Sequence, residues 1–170
     1  YFFPVENYRI WEPDAPWLYG AKAVLSRGGE TVSAAVQTVG FKEFKSDENS
    51  VPKGKFYLNG RPAVLRGANE MGHLQQCVMN GDFEQLVDDI LIAKLCNMNY
   101  YRVTQRPVQE EIYDYFDMLG MMHQCDFPLF SFLRRPQFSE ALRQVVEMEH
   151  LVRKHVSTVM VTLINEPMCI

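Results

Sequence analysis

The sequence predicts half of a (β/α)8 barrel preceded by a short antiparallel β segment, and three observations carry that prediction. Beyond residue 55, short β-forming runs alternate with amphipathic helical segments, the alternation that parallel strands joined by crossover helices require. Each β-forming run ends in polar residues: Arg66-Gly67-Ala68-Asn69-Glu70, then Arg102 with Thr104-Gln105-Arg106, then Asp126, then Asn165-Glu166. No glycine-rich turn follows the first run, although a nucleotide-binding doubly wound sheet needs one there. A doubly wound sheet and a barrel both accommodate four such units. The polar strand ends favour the barrel, where they converge on the C-terminal face that carries active sites.

The elements follow in order. Residues 8–45 read as short strands, with Gly28-Gly29 turning a run at 21–25 into one at 31–36. That is a hairpin pattern with no helical period. Two or three strands cannot close a sandwich core, so residues 1–45 are expected to be the end of an antiparallel domain that starts upstream. The polar, turn-rich stretch 45–54 sets the boundary, and residues 46–170 are assigned to the barrel half. Asn59-Gly60 between apolar runs signals a second hairpin, since both residues tolerate positive φ. The first barrel strand is expected to begin at Ala63. Asp82, with Gln85 three residues on, has capping-box spacing and opens a helix with Phe83, Leu86, Ile90 and Ala93 on one face. Residues 100–103 form the second strand. Pro107 is expected to open a helix with Ile112, Tyr115, Phe116 and Leu119 buried and Gly120 as its stop. Residues 121–125 make the third strand. A helix with Ala141, Val145, Met148 and Val152 follows, and 159–164 is the last strand.

Composition excludes several classes. At 47% hydrophobic residues the chain can build a core of its own. A net charge of −4 with scattered Lys and Arg supports neither a nucleic-acid partner nor an anionic membrane. Its apolar runs fall short of the ~20 residues that cross a bilayer. The opening residues Tyr1-Phe2-Phe3-Pro4-Val5-Glu6 lack a basic region and a cleavage site, so no signal peptide is expected. The chain is expected to begin within a longer protein, and its localisation is not legible. Cys77, Cys96, Cys125 and Cys169 contain no C-x-x-C pair. Cys96 and Cys125 lie in periodic apolar segments and read as core, and no disulfide framework is expected. His73, His123, His150 and His155 lack H-E-x-x-H spacing. No metal and no cofactor is expected.

Among the polar strand ends, Glu166 is the sharpest candidate. A carboxyl group at a barrel strand end, partly desolvated, suits proton donation, and Asn165 beside it can hydrogen-bond a sugar hydroxyl. The bland alternative is a solvated turn. Arg102, in an aromatic and β-branched strand, fits a structural ion pair or a clamp on substrate or carboxylate. Asp126 is a candidate substrate-binding residue, with helix N-capping as the alternative. His73 and His155 read as loop or core-rim residues, and Phe127, Phe130 and Phe132 as core.

Four segments together resemble glycoside hydrolase family 2, which includes β-galactosidases, β-glucuronidases and β-mannosidases. Trp11-Glu12-Pro13-Asp14-Ala15-Pro16-Trp17-Leu18-Tyr19 resembles its W-x-P-x-x-P-x-L-Y segment. Leu58-Asn59-Gly60-Arg61-Pro62 through Arg66-Gly67-Ala68-Asn69 resembles its L-N-G-K-P…R-G-x-N entry into the barrel. Asp89-Ile90 through Lys94, Asn99 and Arg102 is similar to D-I…K-x-x-x-x-N-x-x-R, and Arg153-Lys154-His155-Val156-Ser157 through Asn165-Glu166 to R-N-H-P-S…N-E. The resemblance implies an immunoglobulin-like sandwich followed by a catalytic (β/α)8 barrel. It implies Glu166 as general acid/base of a retaining exo-β-glycosidase, Asn165 as ligand of the sugar 2-hydroxyl, and Arg102 as support for the catalytic carboxylates. The nucleophile would lie on a later strand, outside this chain. Three segments depart from the family pattern. Thr104-Gln105-Arg106-Pro107 replaces S-H-Y-P, Glu70-Met71-Gly72-His73 replaces R-H-E-H-H, and Gln124-Cys125-Asp126-Phe127-Pro128 is nearer mannosidase-like members. Asn165-Glu166-Pro167 is nearer glucuronidase-like ones, so the sugar stays open. A carbohydrate is the expected partner. The chain by itself is expected to be inactive and, with an open parallel edge, to self-associate, homo-oligomerisation included. A non-catalytic carbohydrate-binding or interaction module on the same scaffold is the alternative.

Overall fold

The computed structural model describes residues 4–168; the first three residues and Cys169 lie outside the described residues. Strands β1 (Tyr19–Arg27) and β2 (Glu30–Val39) pair antiparallel around Gly28-Gly29. Both glycines have positive φ, 62° and 88°, the backbone this tight reversal requires. A three-stranded antiparallel sheet follows, β3 (Phe44–Asp47), β4 (Lys55–Leu58) and β5 (Arg61–Ala63). Its second hairpin turns on Asn59 and Gly60, at φ 51° and 76°, as the sequence predicts. The 45/46 division falls inside β3, whose ladder to β4 crosses it.

Four parallel strands, β6 (Gly67–Glu70), β7 (Tyr100–Val103), β8 (Met122–Asp126) and β9 (Thr158–Thr162), lie side by side in chain order. The order never reverses, so these strands contain no switch point of the doubly wound kind. Helices α1 (His73–Asn80), α2 (Phe83–Leu95), α3 (Glu110–Leu119) and α4 (Phe138–Val152) connect them. The expected first barrel strand at Ala63 is corrected: Ala63 ends an antiparallel hairpin, and the strand is Gly67–Glu70. The polar run after Leu65 is therefore mostly the strand itself. Gly67 makes that possible, because a Cβ there would sit 1.8 Å from the Tyr100 carbonyl oxygen. Helix α1 has no counterpart in the sequence reading, and α3 starts at Glu110 rather than Pro107.

Helix signals hold where they are local. The Asp82 carboxylate accepts from the Gln85 backbone N–H at 3.0 Å, capping α2. The box is one-sided, because the Gln85 side chain donates to Asp89 Oδ1 at 2.7 Å instead. Gly120 closes α3 in the left-handed conformation, φ 73°. Leu86, Ile90, Ala93, Ile112, Tyr113, Phe116, Met148 and Val152 are buried between helices and sheet with Val103 and Cys125. Cys96 corrects its core assignment. It caps the end of α2 and is exposed, since the apolar face of that helix passes through Ala93 and turns away.

A second cluster seals the end of the sheet where the strands begin. Trp11 is fully buried against Met122 and Val156, with Leu58, Leu65 and Tyr100 around it, and its indole N–H donates to the Asp117 carbonyl at 2.8 Å. Nearby, Lys42 Nζ donates to the Thr158 carbonyl. Burial lowers the Lys42 ammonium from 10.5 to about 8, against the pull of Asp117. The folded value lies below the unfolded one, so between about 8 and 10.5 the unfolded chain binds more protons and stability rises with pH. The urea midpoint is therefore expected to climb from about pH 8 to about pH 9, where the Cys125 thiol, raised by burial from 9.0 to about 11 in the fold, begins to offset the gain. Above that the phenol of Tyr100, pushed up to about 12 in the fold, reverses the trend. Lys42→Met should flatten the climb; an unchanged slope in that variant would place its origin elsewhere.

Candidate active site

The site is built on alternation along two neighbouring strands. Residues two apart on a strand share a face, so Tyr100 and Arg102 on β7 point with Gln124 and Asp126 on β8 to one side of the sheet. In the parallel register Arg102 stands opposite Gln124, and Asp126 opposite Thr162 of β9. This register brings a guanidinium within reach of a carboxylate one step further along the next strand. Arg102 Nε and Nη2 donate to Asp126 Oδ2 at 3.0 and 2.6 Å. Asp126 is 0% exposed, and a carboxylate so placed needs paired partners. Its second oxygen accepts from Gln124 Nε2 at 3.0 Å. Gln124 in turn donates to Thr162 Oγ1 and accepts from the Tyr100 hydroxyl. Burial, then the Asp126 carboxylate, push the Tyr100 phenol up to about 12, so it remains a donor to the amide.

Arg102 Nη2 also donates to Asn165 Oδ1 at 2.7 Å. That bond fixes which end of the amide is which. The oxygen is occupied, and among the described residues Nδ2 has no partner. The backbone of Asn165 is held as firmly. Its N–H donates to the Leu129 carbonyl at 2.8 Å, its carbonyl accepts from Ser131 N–H at 2.9 Å, and it forms an isolated parallel bridge with Phe130. Asn165 is thus buried and aligned from both sides.

Three of the four residues that sequence reasoning singles out come together: Arg102, Asp126 and Asn165 form one hydrogen-bonded chain. Glu166 is the neighbour of Asn165 but is exposed, and among the described residues its carboxylate makes no hydrogen bond or ion pair. The expected partial desolvation is therefore corrected for this chain. Glu166 lies beyond the end of β9, an outer strand of the four, with no described element over it. Its φ of 48° is left-handed, an uncommon conformation for a side-chain-bearing residue that costs on the order of 1 kcal/mol or more.

Of the aromatics expected in the core, Phe127 is buried, whereas Phe130 and Phe132 are 55% and 49% exposed. The loop that carries them is pinned to Asn165 by its backbone, which leaves those rings beside the site. His155 is buried rather than at a rim: its Nδ1 meets Asp117 Oδ2 at 2.9 Å, and the other Asp117 oxygen accepts from the Ser157 N–H and hydroxyl. That is a structural cluster under α3. His73 sits on α1 against Asp89. Gln124, Tyr100 and Thr162 are the members that sequence reasoning misses. The signal for Tyr100 and Gln124 is the period-two spacing with Arg102 and Asp126, whereas Thr162 joins only through its register opposite Asp126.

Comparison with known proteins gives this geometry a family. Residues 50–169 match the model of "Glycosyl hydrolases family 2, TIM barrel domain". A curated relative from Formosa agariphila, provisionally named a beta-glucuronidase, is 26% identical over 130 residues, covering 75% of this chain and 15% of the relative. Among solved structures, a β-glucuronidase from Ruminococcus gnavus in complex with D-glucuronic acid superposes with a TM-score of 0.78 at 21% identity, over 98% of this chain and 28% of that one. Bacteroides uniformis beta-glucuronidase 3 gives 0.74 at 24% identity, over 93% and 20%. These likenesses establish the fold. The chain spans under a third of the length of each relative. Since the family model covers most of its residues, the chain belongs to glycosyl hydrolases family 2 and carries part of that family's TIM barrel domain.

Proposed function

We propose that this chain supplies the acid/base side of the active site of a retaining exo-β-glycosidase that removes terminal β-linked glucuronic acid. The observation that carries the reading is the Arg102–Asp126–Asn165 chain. It holds the Asn165 amide with its Nδ2 donor unspent, directly before a carboxylic acid, at the strand ends where barrels place their chemistry. In this reading Asn165 donates to the sugar 2-hydroxyl. Glu166 protonates the glycosidic oxygen as a carboxylate about 5–5.5 Å away, on a later strand, attacks the anomeric carbon. Glu166 then takes a proton from the water that releases the sugar. Arg102 and Asp126 are positioning residues. The names of the relatives support glucuronic acid as the sugar.

The two-part division belongs to the same proposal, with residues 1–45 ending an immunoglobulin-like sandwich and 46–170 opening the barrel. Val24 and Val36 are 49% and 69% exposed on one face of the β1–β2 ribbon, an apolar surface that further sandwich strands would cover. The full-length protein is expected to hydrolyse an aryl β-glucuronide at least about 100-fold faster, by kcat/KM, than the matching galactoside or mannoside. A preference for a neutral glycoside would overturn the sugar assignment. No turnover of any glycoside by the full-length protein would overturn the enzyme reading in favour of a binding module.

A further inference from the structure

We propose that His73, Cys77 and Asp89 form a binding site for a soft divalent cation of the zinc class. The site shares no residue with the candidate active site. His73 and Cys77 are four residues apart on α1 and so share one helical face, and Asp89 reaches them from α2. His73 Nε2 is 2.7 Å from Asp89 Oδ2, and Cys77 Sγ is 3.9 Å from the same oxygen. All three ligand atoms lie within 4.8 Å of one another. Tetrahedral zinc, with bonds of about 2.0–2.3 Å to nitrogen, oxygen and sulfur, separates its ligands by roughly 3.3–3.8 Å. Shifts of about 1 Å therefore convert the present arrangement into three corners of a tetrahedron. Imidazole, thiolate and carboxylate together are a donor set that suits zinc and disfavours magnesium or calcium.

Two further features fit the assignment. Asp89 Oδ1 is occupied by Gln85 Nε2 at 2.7 Å, which turns Oδ2 toward His73 and Cys77. Outer partners of this kind orient metal-binding carboxylates. A cleft of about 420 Å3, lined by Glu70, His73, Asp89 and Tyr101 among others, reaches two of the three ligands, with Cys77 buried behind them, giving an ion a path in and room for a water as fourth ligand. The surrounding charge is negative. Asp82 and Glu70 stand near the cluster, and their carboxylates favour a cation there. The other mixed cluster, Glu110, Asp114 and His155, lacks this character, because Lys154 already pairs with Glu110 and His155 Nδ1 is committed to Asp117.

Cobalt(II) titration of the chain, in a Cys96→Ser, Cys169→Ser background, tests the site. One cobalt ion per chain should bind with a thiolate-to-metal charge-transfer band, and zinc should displace it. Cys77→Ser should abolish the band, and His73→Ala should weaken binding. Gln85→Ala should weaken it about 10-fold or more while far-UV circular dichroism stays unchanged. A missing band, a band that survives Cys77→Ser, or unaltered affinity in His73→Ala would each overturn the proposal. Because His73 is largely exposed, the last variant keeps the test decisive even if Cys77→Ser does not fold.

Discussion

Glu166→Gln in the full-length enzyme is expected to cut kcat/KM on an alkyl β-glucuronide by about 10²- to 10⁴-fold, the contribution of one positioned general acid. Glutamine keeps the size and the hydrogen-bonding edge but has no proton to give. An alkoxide leaving group cannot depart unassisted, so the first chemical step, which kcat/KM reports, takes the full loss. A nitrophenolate leaves without protonation, and on that substrate kcat/KM should change little. Turnover is different: in the proposed mechanism the second step uses Glu166 as base to activate water, so kcat should fall on both substrates. The glycosyl-enzyme should then accumulate as a burst. An added anionic nucleophile such as azide needs no base and should restore kcat on the nitrophenyl substrate, releasing a glycosyl azide. Equal loss of kcat/KM on both substrates would remove the acid role. Glu166 is exposed beyond the end of β9 in this chain, so the proposed acid role requires further elements to pack over that end.

Local signals were the legible part of this fold. Asp82, Gly120 and the Asn59-Gly60 and Gly28-Gly29 turns act through backbone geometry within a few residues, and each appears where the sequence places it. The first barrel strand was illegible for the opposite reason. Gly67-Ala68-Asn69-Glu70 is a poor strand on propensity and becomes one only by pairing with β7, whereas the more apolar run at 61–65 attracts the assignment and spends part of itself in a hairpin. Convergence of Arg102, Asp126 and Asn165 could be anticipated, since parallel strands in sequence order bring their ends together. The pairing partners could not. That Arg102 reaches Asp126 as well as standing opposite Gln124 depends on an offset between β7 and β8 that no single strand encodes. Phe130 and Phe132 look like core residues by composition. They are exposed because backbone hydrogen bonds to Asn165 set their loop.

Arg102→Met should produce the largest loss of stability among the site variants, about 3 kcal/mol, at the low end for a broken buried pair because the guanidinium is itself 26% exposed. The cost arises on the other partner. Asp126, with no exposure, keeps only its bond from Gln124 and must either hold an unpaired charge or take up a proton. Adding Asp126→Asn removes the stranded charge, and the double variant should recover most of the stability. Activity should not recover with it. Without Nη2 on its oxygen the Asn165 amide is free to turn over, and a donor to the sugar is lost whether or not Asp126 is charged. Restored stability with persistently low kcat on glucuronides marks Arg102 as a positioning residue. Recovery of both together would instead assign the Arg102–Asp126 pair to the fold alone.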